Sequence, residues 1–259
     1  MREAWWAELL KVRRSRLPWI TGLAFAIAAL VCGMFMFILA DPARARAFGL
    51  IGGKAQLSGA SADWPGYLAL LAQAVAVGGL GIYGLVAIWL FGREFSDRTA
   101  IDLLALPTSR TAVVAAKFAI AALWALLLAL LLAGLGLLIG ALLDLPAWSA
   151  PGVAAGVGHL LATAGLAAVT TTPLALAASI GRGYLAAVGV LFAVIFAAQV
   201  IAALGYGAVF PWSVPGLYAG IAGPDQDPPG ILGVGLVAAT GAAGAVATAW
   251  WWNRADHTR

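Results

Sequence analysis

The residues whose types and spacing suggest recognition chemistry are gathered in one charged segment, residues 91–110, which reads FGREFSDRTAIDLLALPTSR. Helical spacing predicts a short helix over residues 93–107, with Glu94, Asp97, Arg98 and Asp102 on its polar side. Pro107 ends this helix, and Thr108 or Ser109 can cap the next one. Two interpretations are open: the charges form a docking surface for a soluble partner, or the segment is only a hydrated connector.

The sequence predicts no catalytic residue. Residues 52–55, Gly-Gly-Lys-Ala, lack the spacing and the hydroxyl of a phosphate-binding loop, so we do not expect this chain to hydrolyse ATP. Two histidines and the single cysteine, Cys32, supply no obvious metal ligand set. We therefore predict that the chain itself binds neither a metal nor a cofactor and is not an enzyme.

Three polar residues lie inside apolar segments: Gln73, His159 and Gln199. Each has two interpretations, an interhelical hydrogen bond or a contact with a polar group of a transported substrate. None of the eleven Asp and Glu residues falls near the middle of an apolar segment. Coupling to a proton or sodium gradient usually needs such carboxylates, so we expect the energy for any transport to come from elsewhere.

The amino-acid composition indicates the environment of the rest of the chain. Hydrophobic residues make up 63% of the chain and charged residues 10%, and the mean hydropathy is +0.97. These values are typical of an integral membrane protein. The apolar runs are continuous and exceed the ~20 residues of a spanning helix, which favours an all-α fold over a β-barrel. The Lys and Arg residues that give the net charge of +4 cluster at the ends of these runs. There they would lie beside anionic lipid headgroups, so the charge indicates a membrane surface and not nucleic acid.

Six spans are predicted in a single membrane domain, residues 1–259. An amphipathic interfacial helix, residues 1–17, precedes them, and we prefer it to a cleaved signal peptide because it is long, Trp-rich and partly acidic. The Pro- and Gly-rich connection 210–229 is expected to dip into the outer membrane face and return before the last span. Pro173 is expected to bend the fourth span, and the threonines at 170–172 are expected to help satisfy the main-chain carbonyl that Pro173 leaves without a donor. The predicted spans are residues 18–40, 65–91, 111–143, 151–179, 184–209 and 230–252.

The distribution of Lys and Arg predicts the orientation. With a cytoplasmic amino terminus, twelve of the fifteen basic residues lie on the cytoplasmic side and three, Arg44, Arg46 and Lys54, lie outside. Such an excess is the usual cytoplasmic signature. We therefore predict a multi-pass protein of a bacterial cell membrane with both termini and the charged segment in the cytoplasm.

This combination of an amphipathic first helix, six spans and the segments 92–99 (GREFSDRT) and 103–110 (LLALPTSR), followed by Lys117, resembles the ABC type-2 exporter permease family. The resemblance implies that residues 93–107 form a coupling helix that docks on a separate ATPase. It also implies a short re-entrant segment before the sixth span. Docking residues are then Glu94, Asp97, Arg98 and Asp102, with Arg182 as a small second contact point.

The resemblance further implies an assembly of two permeases, identical or paralogous, with two ATPase subunits that carry ATP and Mg. Export of an apolar or amphipathic drug, antibiotic or peptide is the favoured function. Alternatives are export of a lipid or a polysaccharide by the same architecture, or a membrane protein outside this family, such as a secondary transporter or a membrane anchor. Co-purification of an ATPase would separate the first class from the last two.

Overall fold

The computed structural model describes residues 2–41, 49, 61–99, 108–223 and 229–254. Within these residues there are helices and no strands, and six helices are long and apolar enough to cross a membrane. An amino-terminal helix, Arg2–Arg14, precedes them. The predicted all-helical fold with six spans is confirmed. Spans 1 to 6 are Leu17–Ala40, Trp64–Ser96, Arg110–Leu142, Ala150–Ile180, Tyr184–Ala203 and Ile231–Arg254.

Spans 2, 3 and 4 each begin at a short polar residue. The side-chain oxygens of Asp63, Ser109 and Ser149 accept hydrogen bonds from the main-chain N–H three residues later, at 2.8, 3.3 and 3.2 Å. This interaction satisfies a donor that has no partner inside the helix and sets the helix start. The predicted cap at Ser109 is thereby confirmed.

Span 2 is the centre of the bundle, since 61% of its most apolar 18-residue stretch is buried, whereas the corresponding value for span 5 is 17%. It packs closely on spans 3 and 4 because glycines leave room for its large side chains. Gly136 and Gly140 of span 3 face Leu71 and Trp64, and Gly156 of span 4 faces Leu68. A methyl group at any of the three glycines would collide with these side chains. The glycine spacing in the sequence therefore serves packing against span 2.

Span 4 is interrupted between Val169 and Thr172, just before Pro173. Pro173 has no N–H to donate to the Val169 carbonyl, and the Thr172 hydroxyl lies 3.1 Å from that oxygen. The same hydroxyl lies 2.9 Å from the Gly241 carbonyl of span 6. The predicted bend and its compensation by threonine are confirmed, and the bend is also the place where span 6 crosses span 4.

The charged segment differs from its prediction. The helix of span 2 continues to Ser96, so residues 93–96 are its last turn and do not begin a separate coupling helix. It ends because Arg98 adopts a left-handed conformation, with φ of 58°, and the Thr99 N–H donates to the Glu94 carbonyl at 2.9 Å. This is the usual closure of a helix end. Residues 100–107, including Asp102, lie outside the described residues, and a coupling helix there stays a prediction.

The connection between spans 5 and 6 folds against the bundle. After span 5 ends at Ala203, a short helix forms over Val214–Tyr218. Trp212 donates from its indole nitrogen to the Thr170 carbonyl at 2.9 Å, and Ser213 donates to the Ala198 carbonyl at 2.9 Å. These bonds attach the connection to spans 4 and 5. Its re-entrant path through the membrane stays a prediction.

Candidate functional site

Four charged side chains meet at the end of the bundle where the charged segment begins. We call Glu8, Lys11, Glu94 and Lys117 the ion cluster. Lys117 Nζ donates to Glu8 Oε2 at 3.0 Å and to Glu94 Oε1 at 2.9 Å. Lys11 Nζ donates to Glu8 Oε1 at 2.8 Å and to Glu94 Oε1 at 2.7 Å. The cluster therefore joins the amino-terminal helix to the end of span 2 and the beginning of span 3.

The cluster is buried yet balanced in charge. Glu8 is 2% exposed, Glu94 is 3% exposed and Lys117 is fully buried, so each charge would be costly if it were isolated. Two carboxylates face two ammonium groups. Lys117 also donates to the Leu90 carbonyl at 2.7 Å, so all three of its N–H donors have acceptors. Thr99 Oγ1 donates to Glu94 Oε2 at 2.9 Å, which attaches the chain beyond span 2 to the same carboxylate.

Lys11 is the partly exposed member of the cluster, with 27% of its side chain accessible. Burial alone would lower the pKa of Lys11. The charge of Glu8, hydrogen bonds to Glu8 and Glu94 and the charge of Glu94 act in the opposite direction and prevail, so the pKa is raised. Lys11 is therefore protonated at neutral pH and completes the charge balance.

Aromatic side chains extend the cluster to the other spans. Phe91, beside Lys117, contacts Phe118 and Trp252, with ring centroids 4.7 and 6.4 Å apart. The Trp252 indole donates to the Ser179 hydroxyl at 2.9 Å. Span 6 and the end of span 4 thus contact the helices that carry the ions.

The structure corrects the predicted position of Glu94. The sequence places it among exposed docking charges, whereas its carboxylate points into the ion cluster because two lysines lie there to receive it. Glu8 and Lys117 were missed as its partners. Two signals were available: Lys117 is a charge inside an otherwise apolar run, and Glu8 and Lys11 lie one helical turn apart.

The remaining predicted docking residues lie at the surface. Asp97 is half exposed and accepts from Arg93 Nε at 3.0 Å, one turn earlier. Arg98 and Arg182 are exposed, and both adopt left-handed conformations, with φ of 58° and 48°. Left-handed backbone at a residue other than glycine is strained and concentrates at functional positions. Their role in docking stays a prediction.

The connection that carries Arg182 lies close to the last turns of span 2, which precede Arg98. A side chain at Gly92, in the last turns of span 2, would lie 3.1 Å from the Gly183 carbonyl oxygen and 3.0 Å from the Tyr184 ring. Both distances are shorter than ordinary van der Waals contact, so a larger residue at Gly92 would require the neighbouring chain to shift by a few tenths of an ångström. The connection between spans 4 and 5 therefore packs against the last turns of span 2.

The three polar residues of the predicted substrate pathway all lie beside the connection between spans 5 and 6. Gln73 Nε2 donates to the Gly220 carbonyl at 3.4 Å. The His159 ring stacks on Tyr218, with centroids 4.6 Å apart and planes 19° apart. Gln199 lines a cavity of about 350 Å³ together with residues of the same connection. The structure thus brings them to one segment, although not to one shared cavity.

The cavity lies between span 2, span 5 and residues 212–222 and is mainly apolar. On span 2 it is bordered by Ala76 and Val77, which belong to a π-helical turn, Val75–Gly79, inside the α-helix. Such turns are rare in proteins as a whole, and those that occur are often at functional sites. A cavity of this size is within the range of small-molecule sites. In the part of the chain that the structure describes, no group of three or more His, Cys, Asp or Glu residues could hold a metal.

One family model and one curated protein are similar to this chain. The model of a family described as ABC-2 family transporter protein matches residues 4–199. Among curated proteins, the bacitracin transport permease protein BCRB of Bacillus licheniformis is 26% identical over 137 residues. That alignment covers 52% of this chain and 65% of the relative, so the chain spans less than two thirds of that protein's length. No solved structure gives a significant match.

Proposed function

The chain belongs to the ABC-2 family of transporter proteins, and we propose that it is the membrane-spanning permease subunit of an exporter driven by a separate ATPase. The family match carries this proposal, because it covers the amino-terminal helix, spans 1 to 4 and most of span 5. Family membership excludes the secondary transporter and the simple membrane anchor. The ATPase would bind ATP and Mg, for which this sequence has no phosphate-binding loop.

The ion cluster supports a route for mechanical coupling. Asp97 and Arg98 face outward at the end of span 2, while Glu94 in the preceding turn faces inward to Lys11 and Lys117. An ATPase that moved the exposed residues would therefore pull on a buried carboxylate. The displacement would reach span 3 and the amino-terminal helix through the ion pairs and would shift the spans between inward-facing and outward-facing states.

For the substrate, we propose an apolar or amphipathic molecule, with a drug, antibiotic or peptide favoured. The 350 Å³ cavity supports the apolar or amphipathic character of the substrate, because its lining is mostly alanine and aliphatic residues with Gln199 and Ser213 as polar groups. The name of the bacitracin transport permease is consistent with an antimicrobial peptide. Export of a lipid or a polysaccharide by the same architecture is the alternative.

The proposed assembly contains two permeases, which are identical or paralogous, and two ATPase subunits. Span 5 offers a face for the second permease, because large apolar side chains point outward from a single chain, with Phe192 67% and Phe196 71% exposed. Lipid can cover such a face, and so can a second permease. Cysteine crosslinking of Phe192→Cys between two differently tagged copies distinguishes these occupants.

The function is tested by co-expressing the chain with its ATPase and reconstituting the purified complex into liposomes. We expect ATP-dependent movement of a labelled amphipathic peptide such as bacitracin, and no movement when the ATPase carries a hydrolysis-deficient substitution. A fluorescent phospholipid and a labelled polysaccharide serve as alternative substrates. Transport that an imposed proton gradient drives in ATP-depleted vesicles would contradict the proposal.

A further inference from the structure

A second cavity, of about 620 Å³, opens beside the ion cluster between the amino-terminal helix, the end of span 2 and the beginning of span 5. We call it the basic groove. Lys11 and Arg14 line it from the amino-terminal helix, and Arg93 lines it from span 2. Lys11 and Arg14 are three residues apart, so both project from one side of their helix. Three cationic side chains from two separate elements thus face one space.

The charges in the groove are not equally available. Lys11 is shared with Glu8 and Glu94, and Arg93 is paired with Asp97, which also lines the groove. Arg14 is exposed, and its side chain makes no hydrogen bond or ion pair with any described residue. The groove therefore has an excess of one full positive charge at Arg14, supported by donors that remain on Lys11 and Arg93. That excess favours an anion.

The wall of the groove reaches into the apolar part of the bundle. Trp89 lines it and lies seven residues before the end of span 2, which is about 10 Å along the helix. The Arg93 guanidinium lies 5.1 Å from the centre of the Trp89 ring, so that ring holds a cation over its face. Leu10 and Ala7 supply the opposite apolar wall. A ligand here meets cations at one end and apolar side chains at the other.

We propose that the basic groove binds the phosphate of an anionic phospholipid, with the headgroup at Arg14 and Arg93 and the acyl chains along Trp89 and Leu10. The lipid belongs to the leaflet on the side of the ion cluster, which the distribution of basic residues predicts to be cytoplasmic. Because Lys11 contributes to both the groove and the ion cluster, bound lipid would adjoin the contact between the amino-terminal helix and span 2. The inference depends on the membrane location of the chain and not on its ATPase partner.

Native mass spectrometry of the full-length chain tests this site directly. The chain is released from nanodiscs that contain equal amounts of phosphatidylglycerol and phosphatidylcholine, and the retained lipids are counted. We expect preferential retention of phosphatidylglycerol by the wild type. Arg14→Gln should lower its apparent affinity about fivefold, the usual effect of one basic residue near an anionic membrane surface. Arg93→Gln should lower it in the same direction.

Arg13→Gln is the matched control, because Arg13 is the neighbouring residue of the same helix but lines a different groove beside spans 1 and 3. It should leave phosphatidylglycerol retention unchanged. Equal losses in Arg13→Gln and Arg14→Gln, or equal retention of both lipids, would overturn the site. Displacement of the lipid by millimolar inorganic phosphate would assign the groove to a soluble anion. If Arg14→Gln kept its lipid but lost a co-expressed ATPase, the groove would be a protein-docking surface.

Discussion

Lys117 and Glu94 form a buried ion pair, with Nζ and Oε1 2.9 Å apart, that joins the second turn of span 3 to the last turn of span 2. The chain connects these two helices through residues 97–109, which contain residues 97–107 of the predicted coupling helix. The ion pair therefore closes this loop at its base. A partner that bound the loop would act on two spans whose ends are already fixed to each other.

Lys117→Met should lower the free energy of unfolding by about 3–5 kcal/mol, because it leaves two buried carboxylates with Lys11 as their remaining cation. The loss can be measured by denaturant titration in detergent micelles. Asp97→Asn provides the control, since it removes one carboxylate from a surface pair and should cost at most about 1 kcal/mol. Similar small losses in both variants would show that the ion cluster contributes little to stability.

The sequence predicted the helices better than the contacts between them. Apolar length alone identified six spans, and Pro173 with Thr172 predicted the bend of span 4, because both signals are local. The end of span 2 was predicted at residue 91, since Arg93 and Glu94 are charged. The structure extends the helix to Ser96, because Glu94 finds buried cationic partners that are 23 and 83 residues away in the chain.

Separation along the chain also explains why the contacts of the site residues were not predicted. Glu8 and Lys117 are separated by 109 residues, and a single sequence contains no signal that pairs them. Gln73 and His159 were recognised as unusual polar residues within spans, but their shared location at the connection between spans 5 and 6 depends on how four helices pack. Residue type indicated which positions matter, and tertiary contacts decided their roles.

Both termini and the charged segment should lie in the cytoplasm. The native Cys32 is first replaced by serine, and Ser58→Cys or Arg259→Cys is then introduced. A membrane-impermeant maleimide added to intact cells should label the cysteine at position 58 and not the one at position 259. Labelling of position 259 together with protection of position 58 would reverse the orientation, and the docking segment would then face away from any cytoplasmic ATPase.

His159 should act through its ring and not through its charge. It stacks on Tyr218, and no described residue gives its side chain a hydrogen bond. His159→Phe retains an aromatic ring of similar shape and should keep transport within about twofold, whereas His159→Ala loses a contact worth roughly 0.5–1.5 kcal/mol and should reduce transport. Transport rates in reconstituted vesicles measure both. Equal loss in the two variants would instead indicate a requirement for the imidazole nitrogens.

Reversing the exposed charges at the end of span 2 should weaken binding of the ATPase. Asp97→Lys combined with Arg98→Glu changes two surface residues and should leave the free energy of unfolding within about 1 kcal/mol. Glu94 is excluded from the reversal, because a third ammonium in the ion cluster would destabilise the fold. Co-purification yield and ATPase stimulation are measured. Asp225→Lys with Asp227→Lys, on the predicted opposite side, is the control, and equal ATPase binding in both double variants would reduce the segment to a connector.

Arg98 separates the contribution of backbone conformation from that of charge. Its left-handed conformation, with φ of 58°, costs roughly 1 kcal/mol for a side chain other than glycine, so Arg98→Gly should stabilise the helix end or leave its stability unchanged. Arg98→Ala removes the same charge but retains the strain. If docking depends on the guanidinium, both variants should lose ATPase binding to a similar degree despite their different stability. If Arg98→Ala keeps ATPase binding, the charge of Arg98 has no role in docking, and a loss confined to Arg98→Gly would show that the partner recognises the fixed shape of the turn after span 2.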